Sequence, residues 1–302
     1  MAEMKIVNGV LKKCPNVAGE VIIPEGVVEI DYSAFEECSD VTSVVFPKSL
    51  TTCGLCGMFS YAKALKKITI PNSMTTIFGI AASSQITEVV VAADHPTLKV
   101  ENGVIYSKDG KTLVSVSPAL VSDKYIVPDG VEVIGVEAFG GCKTLTEIVL
   151  PSSVVEICHG AFMGCKQLQK INLPNGLKEI SESTFQSCSS LESIVIPDNV
   201  KKLKAYAFAY CENLQSITLG AKLDNVARSV FDNCKKLTDI TFPEKVKTIA
   251  CGYNLFTSVH FKAPAPGKYN IFYTPSTLTF YIPKGSGDAY ASTLRGKNVV
   301  EE

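Results

Sequence analysis

The sequence predicts an α/β repeat solenoid of about twelve parallel strands on a 23-residue period, interrupted once by a β-hairpin insert. Three observations carry that expectation. Ala-Phe-x-x-Cys recurs at Ala34–Cys38, Ala138–Cys142, Ala161–Cys165 and Ala207–Cys211, with close variants at Thr184–Cys188 and Val230–Cys234. Phe139, Phe162, Phe185, Phe208 and Phe231 are each 23 residues apart. Finally, a short alternating phrase closed by proline recurs along the chain, as in Ile148-Val149-Leu150-Pro151 and Ile194-Val195-Ile196-Pro197.

One unit, Pro151 to Leu173, shows what each position does. Ile171 and Leu173 alternate with Lys170 and Asn172, the two-residue period of a strand with one buried face. Pro174 has no amide hydrogen to donate, so it ends the ladder and turns the chain. Val154 and Ile157 point inward on the next side, and Ala161, Phe162, Cys165 and Leu168 carry the coil back at helical or 3₁₀ spacing. About eight inward residues per coil bury too little surface alone, so neighbouring coils must stack. The strand phrase recurs at Val21, Val44, Ile68, Val89, Tyr125, Ile148, Ile171, Ile194, Ile217, Ile240, Val259 and Phe280.

The remaining segments follow in order. Residues 1–23 read as an N-terminal cap, in which Lys5 to Leu11 has the form of a short hairpin. Residues 24–92 hold a first block of repeats and residues 128–261 a second. Between them, residues 93–127 break the period: Val100 to Ser107 and Thr112 to Val116 flank Asp109-Gly110, the pattern of a hairpin turn. Residues 262–302 open on Ala263-Pro264-Ala265-Pro266, continue to a last strand, and place a short capping helix over Ser286 to Leu294.

The unit Cys-x-x-Leu-x-x-Ile-x-Leu-Pro-x-x-Val-x-x-Ile followed by Ala-Phe, displayed in full by Cys142 to Ala161, resembles the leucine-rich repeats of the BspA-like (Treponema pallidum type) family. The resemblance runs from roughly Gly19 to Phe261. It implies a right-handed leucine-rich repeat solenoid, inserts between repeats, and a non-catalytic interaction or adhesion module on a cell surface. Such a module takes a protein ligand, a host matrix or cell-surface protein, on its concave sheet face. Two coils depart from the pattern: Ala62 replaces the cysteine in one, and the coil from Pro71 to Val91 lacks the Ala-Phe-x-x-Cys signature.

Composition limits the function classes. With 29 basic and 30 acidic residues the formal charge is -1, which argues against a broad nucleic-acid or anionic-membrane footprint. At 46% hydrophobic residues the chain is not disordered, and no run of roughly 18 apolar residues encodes a membrane span. Met1 to Val10 lacks a basic region followed by an apolar run. A surface or secreted location therefore requires that an export signal was removed; a chain complete as given is cytoplasmic.

Eleven cysteines invite disulfide or metal chemistry. Six of them, Cys38, Cys142, Cys165, Cys188, Cys211 and Cys234, share one repeat position and stack side by side. Coil spacing falls within disulfide range, but parallel side chains are badly aimed for bridging, and buried thiols behave as small apolar groups. Cys53-Gly-Leu-Cys56 has redox or zinc spacing but no further ligands in sequence, and Cys53 aligns with core positions. Cys158 and Cys251 flank core residues and read as exposed thiols, and Cys14 lies in the cap. His95, His159 and His260 are far apart in coil number, no phosphate loop or His-Glu-x-x-His occurs, and no catalytic, metal or cofactor set is expected.

The candidate ligand-binding face is the outward row of the parallel sheet. It pairs Ser43 with Val45, Lys67 with Thr69, Glu88 with Val90, Glu147 with Val149, and Lys170 with Asn172. Ser193 with Val195, Ser216 with Thr218, and Asp239 with Thr241 follow, and His260 and Tyr281 close the row. The row is mixed in charge and rich in Val, Thr and Ser, residues that are also good strand formers, so an inert surface and a protein-binding face both fit. An intracellular scaffold of the same fold and a polysaccharide-active solenoid enzyme stand as the alternatives.

Overall fold

The computed structural model describes residues 3–53, 58–59, 61–79, 85–250, 252, 256–269 and 274–302. All twelve predicted strand phrases are strands, from Gly19–Ile22 to Thr279–Ile282, and they pair in parallel. Ile148 faces Ile171 and Ile194 faces Ile217, so coils in the regular region advance by one 23-residue period. Toward the C-terminus the step shortens to 19 residues, Asp239 facing Ser258, because those coils lack the Ala-Phe-x-x-Cys segment. A thirteenth strand, Asn298–Glu301, extends this first ladder beyond the expected end.

The alternation of each strand puts one face inside. Val44, Ile68, Ile148, Ile194, Ile240, Val259 and Phe280 are buried, while their chain neighbours face outward. The second inward side forms its own ladder of two-residue strands, among them Glu156–Ile157, Glu179–Ile180, Lys202–Leu203 and Asn225–Val226. Each coil is thus a loop around a narrow core with a strand on two sides.

The third side is built of separate i→i−3 bonded turns, the hydrogen bond of the 3₁₀ alternative that the spacing suggested, and they do not join into a helix. Among the described residues the helices are Pro118–Leu120, a 3₁₀ turn, and Gly287–Tyr290. The reason lies in where the amides go. Cys165 N–H bonds back to Phe162 O at 3.2 Å, but Phe162 N–H and Gly164 N–H donate to Thr184 O and Gln186 O of the next coil at 3.0 and 2.8 Å. Amides committed alternately within and between coils cannot continue a helix. The same path holds two positions per coil in the left-handed region: Gly160, Ser183, Tyr206 and Ser229 at one, Gly164, Ser187, Tyr210 and Asn233 at the other.

Phe139, Phe162, Phe185, Phe208 and Phe231 stack along the axis with ring centroids 5.3–6.1 Å apart. That is the range of favourable offset stacking. The thiols do more than fill space. Cys165, Cys188, Cys211 and Cys234 donate to the carbonyls of Phe139, Phe162, Phe185 and Phe208 at 3.1–3.3 Å. No disulfide joins the described cysteines. Burial pushes the Cys142 and Cys234 thiols up to about 12 and raises Cys165, Cys188 and Cys211 well above their ordinary value. Cys14, placed by the sequence in the cap, is buried beside Cys38, whose thiol lies 3.4 Å from Cys14 O. The Cys53–Cys56 pair and Cys251 lie outside the residues whose side chains are described.

The insert is larger than a hairpin. Leu98–Glu101, Val104–Ser107 and Thr112–Ser115 form an antiparallel meander, because Asn102-Gly103 adds a turn ahead of Asp109-Gly110. Its last strand then pairs in parallel with Val133–Ile134 and so opens the second ladder of the following block. The N-terminus uses the same device: Lys5–Val7 and Val10–Lys13 form a hairpin over Asn8-Gly9, and the latter strand pairs with Glu29–Ile30. The buried core runs in two stretches, Leu11 to Ile105 and Val104 to Leu294, meeting at the insert. At the far end Tyr290 is buried, bonds Ala263 O at 3.0 Å and stacks on Phe261, covering the interior. No helix among the described residues is long and apolar enough to cross a membrane.

Phe185 is buried between two rings of the stack, and Phe185→Ala is expected to cost about 3–5 kcal/mol in urea unfolding; a loss below about 1 kcal/mol would contradict the packing. The ladder thiols set a second expectation. An unfolded thiol ionises near pH 8.5, whereas the folded Cys142 and Cys234 hold their protons to about 12. Their contribution to stability is therefore complete below about pH 8.5 and is lost as pH rises toward the folded value, by roughly 1.4 kcal/mol per unit per thiol. Urea midpoints measured from pH 7.5 to 10 should fall in that window, and less steeply in Cys142→Ala.

Candidate ligand-binding face

The first ladder positions the candidate row. Because the pairing is parallel and in register, outward residues fall into two columns along the axis. The first column runs Ser43, Lys67, Glu88, then after the insert Glu147, Lys170, Ser193, Ser216 and Asp239. The second runs Val45, Thr69, Val90, then Val149, Asn172, Val195, Thr218, Thr241, His260 and Tyr281. None of these residues is buried. The strands Glu88–Val91 and Lys124–Ile126 belong to separate sheets, so the insert divides the face into a four-strand portion and a longer one.

The structure adds members that the sequence reading passed over: Glu20 and Ile22, Lys124 and Ile126, Ser258, Thr279, Asn298 and Val300. For all but Asn298 and Val300 the signal was present, since each flanks the inward residue of a strand phrase already identified; those two lie on the thirteenth strand, which repeats no such phrase. Two change the character of the face. Ile22 is 63% exposed and Ile126 64%, alongside Val195 at 65%, so the second column carries protruding aliphatic side chains.

The first column is largely self-neutralising. Lys67 Nζ lies 2.7 Å from Glu88 Oε1, Lys124 Nζ lies 2.7 Å from Glu147 Oε1, and Ser43 Oγ donates to Glu20 Oε2 at 3.1 Å. Lys170, exposed opposite Glu147, has no ion pair among the described residues. Asn172 is not a free recognition group. Its amide accepts from Leu150 N–H at 2.8 Å and donates to Leu150 O at 2.7 Å, taking the place of a backbone peptide in the ladder. The strand there stops at Ile171, and Ile171 and Leu173 are only half-buried. A shallow depression of about 660 Å³ opens at this point, bordered by Glu147, Val149, Lys170, Asn172, Ser193 and Val195.

At the C-terminal end His260 stacks on Tyr281, centroids 4.2 Å apart and rings within 6° of parallel. Its Nε2 lies 3.3 Å from Asp239 Oδ2 and its Nδ1 2.7 Å from Glu302 Oε1. Ser258 Oγ bonds Asp239 and not the imidazole. A hydroxyl that bonds the carboxylate directly is not held for deprotonation by the ring, so this cluster is not a nucleophile–base arrangement. Tyr281 covers one face of the ring, and both ring nitrogens face carboxylates.

The other singled-out residues have structural roles. His95 is buried, its Nδ1 accepts from Thr97 and Leu98 N–H at 3.3 and 3.1 Å, and its Nε2 faces Pro71 O at 3.2 Å, which ties the entry of the insert to the preceding coil. Cys158 is half-buried, and burial together with the nearby Glu156 carboxylate pushes its thiol up to about 11; it is not a poised thiolate. His159 is exposed on a turn. Among the described residues no three His, Cys, Asp or Glu side chains converge as metal ligands.

The sequence matches the model of the BspA type leucine rich repeat region in six copies, over residues 4–101 and 125–261. No curated protein matches the chain. Among solved structures it is similar to a leucine rich cell surface protein from Faecalibacterium prausnitzii, at 29% identity and a TM-score of 0.52, covering 75% of this chain and 65% of that one. The pneumococcal vaccine antigen PcpA shares the fold at 21% identity and a TM-score of 0.64, covering 94% of this chain and 68% of that one. A leucine-rich repeat protein from Eubacterium ventriosum does so at 22% identity and a TM-score of 0.53, covering 76% and 81%. Repeat unit, two-ladder coil and family match agree: this chain belongs to the BspA-type leucine-rich repeat family.

Proposed function

We propose that the protein is a non-catalytic interaction module that binds a protein ligand on the outward face of the first ladder, centred on the depression between Glu147 and Val195. The observation that carries this is the meeting of exposed aliphatic side chains with an unpaired lysine at one concavity. Val149 and Val195 border the depression, Ile126 stands one coil away beside Val149, and Lys170 rises at its middle. Apolar surface ringed by polar groups is the usual make-up of a recognition patch. A cell-surface location, with a matrix or cell-surface protein as ligand, draws support from the Faecalibacterium prausnitzii relative, which is described as a cell surface protein.

An intracellular scaffold of the same fold is the second reading, favoured by the free thiols. The ladder thiols are buried and most are bonded to carbonyls, so they persist as thiols in either compartment and weigh little for it. The polysaccharide-active reading gains nothing from the depression. Glu147 is the carboxylate that borders it and is paired with Lys124, whereas glycoside hydrolysis uses two carboxyl groups across the bond.

A panel of immobilised extracellular matrix proteins, probed with the whole chain, tests the proposal. Val195→Arg and Lys170→Glu should each weaken the strongest interaction about tenfold, the scale of a central contact worth more than 1 kcal/mol. Val155→Arg, an exposed valine on the second ladder, should leave it unchanged. Indifference of binding to both first-ladder variants would refute this face as the binding site.

A further inference from the structure

We propose that the second ladder, between the coils of Lys178 and Lys268, is a separate binding surface for a linear sulfated polysaccharide. The outward position just before each short strand is occupied by Lys178, Lys201, Asp224 and Lys247 in successive coils, joined by bonds from Lys201 N–H to Lys178 O at 2.8 Å and from Lys247 N–H to Asp224 O at 2.8 Å. The neighbouring column adds Lys202 and Lys268. All five lysines are exposed.

Their lack of carboxylate partners sets them apart from lysines elsewhere on the same ladder. Lys12 lies 2.9 Å from Asp31 and Lys111 lies 2.8 Å from Glu132, each one coil away. In the lysine-rich coils Lys204 reaches Glu179 at 3.4 Å. Lys178, Lys201, Lys202, Lys247 and Lys268 make no ion pair among the described residues. Like charges facing each other across a ladder are destabilising, so Lys178 beside Lys201 is a cost that the fold itself does not recover.

A depression of about 620 Å³ lies beside these columns, with Lys201, Lys222, Lys245 and Lys247 at its rim. Asp224 and Glu244 also border it, and Val246 and Pro266 contribute apolar lining. Lys222 Nζ is held by Asn199 Oδ1 at 2.7 Å. Four ammonium groups against two carboxylates leave the hollow positive, although the whole chain carries -1. At physiological ionic strength such a charge acts over about 8 Å, so it selects what touches this strip.

The chemistry favours a sulfated glycan. Lysines stand on four of these five successive coils, at multiples of a step of about 4.8 Å, with Asp224 and Asn225 on the coil between; such a strip suits a polymer with regularly placed anionic groups more than a folded partner. Single-stranded nucleic acid needs aromatic stacking platforms. Tyr269, the aromatic residue beside the columns, bonds Val246 O through its hydroxyl and stacks on Phe261.

Calorimetry of the whole chain with a heparin-derived dodecasaccharide is the test. Lys201→Glu with Lys247→Glu should weaken binding at least tenfold, and the charge-matched pair Lys143→Glu with Lys166→Glu, exposed on the turn side, should leave it within twofold. Desulfation should abolish it, and added NaCl should weaken it. Thermal melts check both double variants; if the first is unfolded, Lys201→Gln with Lys247→Gln replaces it. Absence of binding, equal loss in both double variants, or tighter binding of single-stranded DNA of equal charge would overturn the proposal.

Discussion

Stacking in register is the constraint on which everything else in this protein depends. In a parallel ladder each residue faces the one a full coil later, so a side chain is packed against copies of itself. A position can be occupied only by a residue that tolerates its own repetition along the axis. Phenylalanine does, because offset rings at 5.3–6.1 Å attract one another. Leucine, isoleucine and valine do through plain burial. An indole is bulkier than the phenyl ring around which each coil is packed, and overfilling that slot at every step would force the coils apart.

The same constraint explains the cysteines. The carbonyls of Phe139, Phe162, Phe185 and Phe208 each accept the N–H of the cysteine three residues on, and a carbonyl oxygen has a second lone pair to offer the core. The thiol at the repeat position is small enough to stack and donates to the phenylalanine carbonyl of the preceding coil. Composition that first suggests redox or metal chemistry is therefore a structural device, with thiols held protonated by burial. Asn172 is a variation on the theme: where the strand ends early, its amide stands in for the missing peptide group.

Register also organises the surface. Outward residues become columns, and a column is neutral or charged according to whether successive coils alternate in sign. On the first ladder Lys67 with Glu88 and Lys124 with Glu147 alternate, leaving aliphatic side chains and Lys170 as the distinguishing features. On the second, Lys178 and Lys201 do not alternate, and positive charge accumulates in a chain that is nearly neutral overall. The two faces of one coil can thus serve different chemistries without competing for residues.

The sequence by itself determined the period, the twelve first-ladder strands, the buried phenylalanine and cysteine positions and the outward row, because a strand of alternating residues closed by proline is a local code repeated in place. Tertiary structure decided what depends on the neighbouring coil. Helical spacing at Ala161 to Leu168 became turns because the amides of Phe162 and Gly164 are drawn to the next coil. Tyr206 and Tyr210 occupy left-handed backbone that glycine holds at Gly160 and Gly164, a conformation disfavoured for side chains and imposed by stacking. The third insert strand and the strand Asn298–Glu301 escaped the sequence reading because neither repeats the proline-closed phrase. The exposed aliphatic column and the unpaired lysines emerge only once side chains 23 residues apart are brought side by side, since a pairing of charges between coils leaves no mark within any one repeat.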